Sequence, residues 1–431
     1  MYSSMDDLFT ILQRGVTPFH VVQQAKQQLE EAGFEEVAMT EEWHLEKGGK
    51  YYVIHHGTTL IAFTVGENAG NTEGMRLATA HTDFPSLRIK PNPEVKKSGY
   101  RQLNVEVYGG AILNTWLDRP LGIAGKAALK GEDAFHPVIC YPDFKKPVVT
   151  IPNLAIHMNP EINKGVELKR QTHLLPVAGI ADGSEADESF FMEYLAKELK
   201  VEKESILSYD LYLYNAEKPE KVGFQEEILS SPRLDNLTSV QALLDGMKKA
   251  DTKEGINLIA LFDHEEIGSK TKQGAGSMLL RDVIEKMQTA LGRTDIQCKD
   301  SIYHSVLLSA DVAHATHPNW TEKADITNKP VLNAGFCIKE AGNQNYATDC
   351  EGIAIVQQLC EQEKIPYQKY VNNSDVRGGS ALGSIADSFL PMQTIEVGVP
   401  VLAMHSAREM MGIEDIKALS RFMESYFGGE Q

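Results

Sequence analysis

The sequence predicts an α/β protein in which helices flank a largely parallel central sheet and a β-rich domain is inserted into the chain. Three observations carry this expectation. From about Gln225 onward, aliphatic runs (NLIALF, SVLLSA, TIEVGVPVLAM) alternate with amphipathic helical stretches (LTSVQALLDGMKK, MLLRDVIEKMQTAL, CEGIAIVQQLCEQ, IEDIKALSRFMESYF). Between about Val95 and Gly223 the texture changes to short alternating strands (LNVEVYGG, KPVVTIPN) broken by Pro, Gly and charged turns. The length of 431 residues exceeds what one hydrophobic core usually serves. We therefore divide the chain into a first α/β segment 1–94, an insertion 95–223 and a second α/β segment 224–431 that completes the same domain.

Taken in order, DDLFTILQRG reads as a helix, and Thr17-Pro18 opens a second one through FHVVQQAKQQLEEAGF, which Gly33 stops. YYVIHHGTTLIAFTVG reads as two strands around a turn at Gly57, and RLATAHTDFPS as another strand. The formal net charge of −18 argues against nucleic acid or an anionic membrane surface as a partner. The start MYSSMDDLFT lacks a basic, apolar leader and no run approaches a membrane span, so a cytoplasmic location is expected. The five cysteines (Cys140, Cys298, Cys337, Cys350, Cys360) form no C-x-x-C pair and suit reduced thiols better than a disulfide framework.

The ends of the aliphatic runs carry the chemistry. RLATA ends in His81 and Asp83, NLIALF in Asp263, Glu265 and Glu266, SVLLSA in Asp311 with His314 and His317 beyond, and VPVLAM in His405. Open α/β sheets bind ligands outside the carboxyl ends of their strands, so these groups point at one place. Carboxylates gathered there repel one another unless a cation neutralises them. Mixed imidazole and carboxylate suits zinc, or cobalt or manganese, better than calcium or magnesium. The donors are too many for one ion, and two metals roughly 3.5–4 Å apart that share a carboxylate are a recurrent hydrolytic device.

Taken singly, each residue has a plainer reading. Asp235, in SSPRLDNLTSV, is a candidate for the shared ligand but also a good helix N-cap. His81 and His405 could be packed histidines, Asp311 a strand terminator, and His314 and His317 polar loop residues. Paired glutamates usually mark a solvated turn, yet NLIALF is too apolar for a surface edge. Adjacent side chains in extended structure diverge, so one of Glu265 and Glu266 can bind a metal while the other faces the activated water.

These residues sit in stretches that together resemble the aspartyl aminopeptidase family of di-zinc exopeptidases: AHTDFPSLRIKPNP, YGGAILNTWLDRPL, IPNLAIHMN, KRQTHLLPV, SPRLDNL, DHEEIGS, QGAGSMLL, SADVAHATHPN, NKPVLNAGFCIKEAGNQNYATD and LAMHSAREMMG. The resemblance covers essentially the whole chain and implies a zinc-exopeptidase-like fold whose insertion serves dimerisation or as a lid. It implies that His81, Asp235 and Asp311 hold one zinc, that Asp235, Glu266 and His405 hold the other, and that Glu265 is the general base. Asp83 then orients the His81 ring. Lys339 is implied near the substrate side chain, where it would favour N-terminal Asp or Glu. His157 is implied to reach the active site of a neighbouring subunit, within a homododecamer built from dimers. The substrates implied are peptides, shortened from the amino terminus.

The chain departs from the family pattern at NNSDVRGGSAL, where Ser374, Arg377 and Gly378 replace expected residues, and at Asn345 and Ala111. These changes bear on substrate preference and leave the metal set intact. Three alternatives stay open: an aminopeptidase preferring neutral residues, another di-metal amidohydrolase such as a deacylase, and a non-catalytic assembly protein with a structural metal cluster.

Overall fold

In the computed structural model, which describes residues 4–70, 74–181, 188–250, 253–376, 378–379 and 382–428, the runs NLIALF and SVLLSA and the first part of TIEVGVPVLAM enter one sheet. Nine strands follow one another across it: Glu35–Glu36, Lys50–His55, Thr59–Val65, Ile256–Phe262, Met75–His81, Val306–Ala310, Gln393–Gly398, Phe336–Glu340 and Tyr367–Val371. The four central strands, from Ile256–Phe262 to Gln393–Gly398, run parallel. Antiparallel pairings flank them, with Thr59–Val65 on one side and Phe336–Glu340 on the other. The sheet is thus parallel at its centre and mixed at its margins. Short hairpins at the margins need no crossover helix, which is why Lys50–His55 and Thr59–Val65 pair antiparallel across a tight turn.

Helices cover this sheet on both faces. On one face Val283, Ile284 and Met287 of the helix Leu279–Ala290 pack with Leu77, Leu258 and Leu307 of the strands. On the other, the helix Leu234–Lys248 contacts the strands Met75–His81 and Ile256–Phe262 and the helix Ile413–Gly428. Gly246 permits that last approach, because a Cβ there would stand 2.7 Å from Met423 Cβ. Both faces of the central strands being buried explains why NLIALF is apolar throughout and shows no alternation.

The run TIEVGVPVLAM does not form one strand. Gln393–Gly398 belongs to the central sheet, while Pro400–Leu402 belongs to a separate five-stranded sheet with Glu220–Val222, Ile228–Ser231, Glu409–Gly412 and Ala313–His314. The His405 run therefore does not end a strand of the central sheet, as its hydropathy suggests. Proline lacks the N–H that a central strand needs, and Pro400 stands where the chain changes sheet.

Contacts divide the chain into two units, one of residues 1–83, 219–404 and 409–431 and one of residues 84–218 and 405–408. The second contains a six-stranded sheet in which every pairing is antiparallel, in the order Val138–Cys140, Leu121–Leu129, Ile206–Asn215, Ser86–Lys97, Tyr100–Tyr108, Val177–Ile180. Its core gathers Leu87, Leu103, Ile123, Phe191, Leu211 and Leu213. Residue 95 falls inside the strand Ser86–Lys97, so that strand joins the six-stranded sheet as a whole. KPVVTIPN forms no strand and contributes only isolated bridges from Val149 and Thr150. The helix Asp295–Tyr303 is absent from the sequence reading, although its start carries a legible signal: Thr294 and Gln297 form a capping box.

All five cysteines are free thiols, with Cys298, Cys337 and Cys360 buried and Cys350 exposed. No helix of the described residues is long and apolar enough to cross a membrane.

Candidate metal centre

The face of the central strands changes character toward their carboxyl ends. Register pairs Leu77 with Leu258 and Leu307, then Thr79 with Ala260 and Ser309, and then His81 with Phe262. Two residues beyond Ser309 stands Asp311, and side chains two apart share a face. The sheet thus passes from aliphatic packing through small hydroxyls to His81 and Asp311.

His81 is 1% exposed. Its Nδ1 lies 2.9 Å from the Asp83 carbonyl oxygen, and its Nε2 faces Asp235 Oδ1 at 3.3 Å and Asp311 Oδ1 at 3.6 Å. With Nδ1–H donating to the carbonyl, Nε2 carries the lone pair. A lone pair facing two carboxylate oxygens needs a proton or a metal cation between them. Burial opposes charge on the ring, but Asp235, Asp311 and Asp83 outweigh it and raise the proton affinity of His81 well above the ordinary value. The same field attracts a metal cation.

Asp83 is fully buried and holds more than the imidazole. Its Oδ1 accepts from the Glu265 N–H and its Oδ2 from the Glu266 N–H, both at 3.1 Å. The contact of His81 Nδ1 with the Asp83 carboxylate is longer, at 3.5 Å, than the one with the Asp83 carbonyl. The sequence reading made this carboxylate the ring's orienter. In the structure the backbone carbonyl takes the ring, and the carboxylate clamps the turn that carries both glutamates.

That turn is a 3₁₀ segment, Glu265–Ile267, entered through His264 in the left-handed region (φ 65°). The glutamates are therefore not in extended structure. Successive side chains still diverge, by about 120°, because a 3₁₀ helix has three residues per turn. Glu266 shares a candidate set with Asp235, their ligand oxygens lying within 4.8 Å of each other. Among the described residues the Glu265 carboxylate has no hydrogen-bond partner. Burial pushes its pKa up to about 8, against the pull of His81 and with the help of Asp311, Asp83 and Asp235. Asp263, by contrast, is used locally, accepting from the His264 N–H at 2.7 Å.

Asp235 is 4% exposed and sits in the bend that precedes the helix proper, with φ −78° and ψ 110°. Its peptide bond to Asn236 is cis. The Asn236 side-chain Nδ2 donates to the Ala310 carbonyl at 2.8 Å, fastening the bend beside Asp311. His81, Asp235 and Asp311 form one compact group whose donor atoms all lie within 4.8 Å of one another.

Lys339 is 2% exposed. Its Nζ donates to the Val312 carbonyl at 3.0 Å and to the Asp311 carbonyl at 3.3 Å, and lies 3.5 Å from Asp311 Oδ2. It also stands over the Tyr346 ring, 4.5 Å from the centroid. Burial works against its charge, but Asp311, Tyr346 and Glu396 more than compensate and raise its pKa. The ammonium is thus occupied by a candidate ligand and its backbone, and is closed to solvent.

His405 follows Met404 and belongs by its contacts with residues 84–218. Its Nδ1 lies 3.2 Å from the Gly110 carbonyl oxygen, which leaves the lone pair on Nε2 when Nδ1 donates. His157 stands exposed in the 3₁₀ turn Ile156–Met158, not in a strand. His314 faces Tyr370, with ring centroids 6.2 Å apart, and His317 packs against Trp320 at 4.5 Å. His314 ends the short strand Ala313–His314, and only His317 is a loop histidine, as its plainer reading has it. Ser374 and Gly378 lie in the described loop, and Arg377 lies outside the described residues.

The donor set fits zinc. Two ligand atoms bound to a tetrahedral zinc are about 3.4 Å apart, given metal–ligand bonds of about 2.0–2.2 Å. The separations of 3.3 and 3.6 Å from His81 Nε2 match that spacing without rearrangement.

An α/β unit with buried imidazole and carboxylates at the ends of its parallel strands defines the class: a protein able to hold a metal cation in the crevice outside its strand ends. Comparison with known proteins narrows it. Residues 11–427 match the family described as aminopeptidase I zinc metalloprotease (M18). A probable M18 family aminopeptidase 2 of Clostridium novyi is 42% identical over 411 residues, covering 95% of both chains. Another of that name, from Pseudomonas fluorescens, is 37% identical over 426 residues and 98% of both chains. The cryo-EM structure of the Ape4 and Nbr1 complex superposes with a TM-score of 0.94 at 32% identity, over 98% of this chain and 85% of that one. The S. cerevisiae mApe1 dodecamer gives 0.84 at 27%, over 98% and 96%. The chain belongs to the M18 aminopeptidase family of zinc metalloproteases.

Proposed function

We propose that this M18 aminopeptidase removes N-terminal residues from peptides with two zinc ions, one held by His81, Asp235 and Asp311 and the other, as the family resemblance implies, by Asp235, Glu266 and His405. The observation that carries the reading is His81 Nε2 standing 3.3 and 3.6 Å from the oxygens of Asp235 and Asp311. Cobalt or manganese would satisfy the same donors. The ions would supply Lewis-acid activation of water and stabilise charge developing on the scissile carbonyl.

The rest is the work of side chains. Glu265 takes the proton of the attacking water and delivers it to the leaving amine, a role for which an unshared carboxylate beside a ligand is suited. Asp83 keeps Glu265 and Glu266 at fixed bearings by accepting from both backbone N–H groups. The substrate's free amino terminus, a cation at neutral pH, is drawn to the carboxylate-rich strand ends. An internal peptide bond brings no such amine, which restricts attack to the chain end.

An acidic preference would need Lys339 to meet a substrate carboxylate, as the family resemblance implies. Its three contacts with Asp311 and Val312 leave it little to offer. The aspartyl specialisation is therefore weak in this reading, and neutral N-terminal residues are cleaved alongside Asp and Glu.

Residues 84–218 are the segment we assign to self-association, with His157 reaching a neighbouring subunit's site. The solved dodecamer of the yeast relative supports assembly of this chain into a homododecamer. A cytoplasmic location completes the proposal.

The test is a panel of aminoacyl-p-nitroanilides, from Asp and Glu to Leu, Ala and Lys, assayed before chelation, after it and after zinc restoration. Hydrolysis that chelation abolishes and zinc restores is expected, with Leu and Glu within about tenfold. No hydrolysis of any member sinks the aminopeptidase reading, and cleavage of N-acetylated peptides would favour a deacylase.

A further inference from the structure

The stretch that carries Asp235 is held from a third direction. Glu409, at the start of the strand Glu409–Gly412, is 2% exposed and pairs in register with Ser231, four residues before Asp235. Its Oε2 accepts from the backbone N–H of Asp235 at 3.0 Å. A buried carboxylate is costly unless hydrogen-bonded, so an anion at this position answers a specific need. That need is the Asp235 N–H, which lies before the helix proper and has no helical carbonyl to bond.

We propose that Glu409 is a positioning residue for the metal centre, setting the bearing of the Asp235 carboxylate through this bond. The inference rests on Asp235 being a metal ligand. The Asn236 side-chain Nδ2 donates to the Ala310 carbonyl on the far side of the bend, so the stretch around Asp235 is held at two points. Releasing the Glu409 end lets the Asp235 backbone turn while the Asn236 end stays fastened. The carboxylate then departs from the position in which it faces His81 at 3.3 Å. Glu409 touches neither substrate nor metal in this arrangement. Its contribution is to geometry, in the manner of groups behind metal ligands whose loss typically costs 10–100-fold in metal affinity.

The test compares Glu409→Ala and Glu409→Gln with the unaltered chain, and uses Asp235→Asn as a control. Zinc dissociation constants are read by calorimetric titration of the chelated proteins, and ligand geometry by the visible absorption of the cobalt-loaded proteins. Glutamine retains an oxygen acceptor for the N–H while removing the charge. The proposal expects affinity lowered 10–100-fold with an altered cobalt spectrum in Glu409→Ala, and affinity within about threefold of the parent with an unchanged spectrum in Glu409→Gln. A Gln variant as impaired as the Ala variant would overturn it, since charge and not the hydrogen bond would then be at work. So would an Ala variant that binds zinc like the parent and merely unfolds at lower temperature. If Glu409→Ala does not fold, the Gln variant still decides, because zinc affinity lowered tenfold or more there is incompatible with the proposal. Zinc binding that survives undiminished in Asp235→Asn would count against the metal assignment itself, separately from Glu409.

Discussion

Replacing Asp83 by Asn is the sharpest probe of how the paired glutamates are held. The side chain is fully buried and accepts two backbone N–H groups at 3.1 Å each, from Glu265 and Glu266. Asparagine has nearly the same shape, so no cavity forms. It has only one acceptor oxygen, however, and sets an NH₂ donor against the second N–H. One charge-assisted bond becomes a neutral one and the other becomes a donor facing a donor. Hydrogen bonds to charged groups are worth about 1.5–3 kcal/mol, so the turn loses about 3 kcal/mol of restraint. If the transition state feels that in full, turnover falls by about 100-fold, since each 1.36 kcal/mol is a factor of ten. The loss should fall on kcat, with KM changing less than threefold, because the proposed base Glu265 and the proposed ligand Glu266 shift while the rest of the crevice does not. The assay is steady-state hydrolysis of the best p-nitroanilide with zinc content measured in parallel. A variant with kcat within twofold of the parent would refute the clamp, leaving Asp83 as packing.

Three further outcomes follow from the same geometry. Glu265→Gln should keep both metals by elemental analysis yet lose turnover by 10²–10⁴-fold, and loss of metal instead would mean that Glu265 is the ligand. Gly398→Ala would set a Cβ on the Asp311 carbonyl oxygen, so unfolding should shift by about 1–3 kcal/mol in chemical denaturation, with zinc affinity falling alongside. Lys339→Met removes a buried ammonium from the Asp311 carboxylate and from two carbonyls, and should lower stability by about 3–5 kcal/mol in the same assay. A Lys339→Met protein as stable as the parent, with altered Glu-over-Leu selectivity, would return Lys339 to the substrate pocket.

Much of the site was legible because metal chemistry constrains residue type as well as shape. His81 and Asp311 end strands whose aliphatic runs announce burial, and buried anions without counter-charge demand a cation. The family resemblance then implied an order for Glu265 and Glu266, which the Glu265→Gln variant tests. The role of Asp83 was only half legible: the sequence shows a carboxylate two residues from a histidine, while its bonds to residues 265 and 266 bridge about 180 positions of chain. The burial of Lys339 was illegible for a related reason. A lysine reads as a free cation in sequence, and only the pairing of its strand with Gln393–Gly398 and the turn of the chain after Asp311 bury it.

By itself, the sequence determined the alternation of strands and helices, the polar groups at strand ends and the antiparallel character of the middle region, because hydropathy period and side-chain chemistry are local. The tertiary structure alone decided which donors face one another, that the glutamate pair sits in a 3₁₀ turn, and that the VPVLAM run leaves the central sheet. Those outcomes depend on hydrogen bonds between segments far apart in the chain, such as Glu409 to Asp235 and Asn236 to Ala310. No local pattern encodes such partners, since a carboxylate can accept from any buried N–H that folding brings to it.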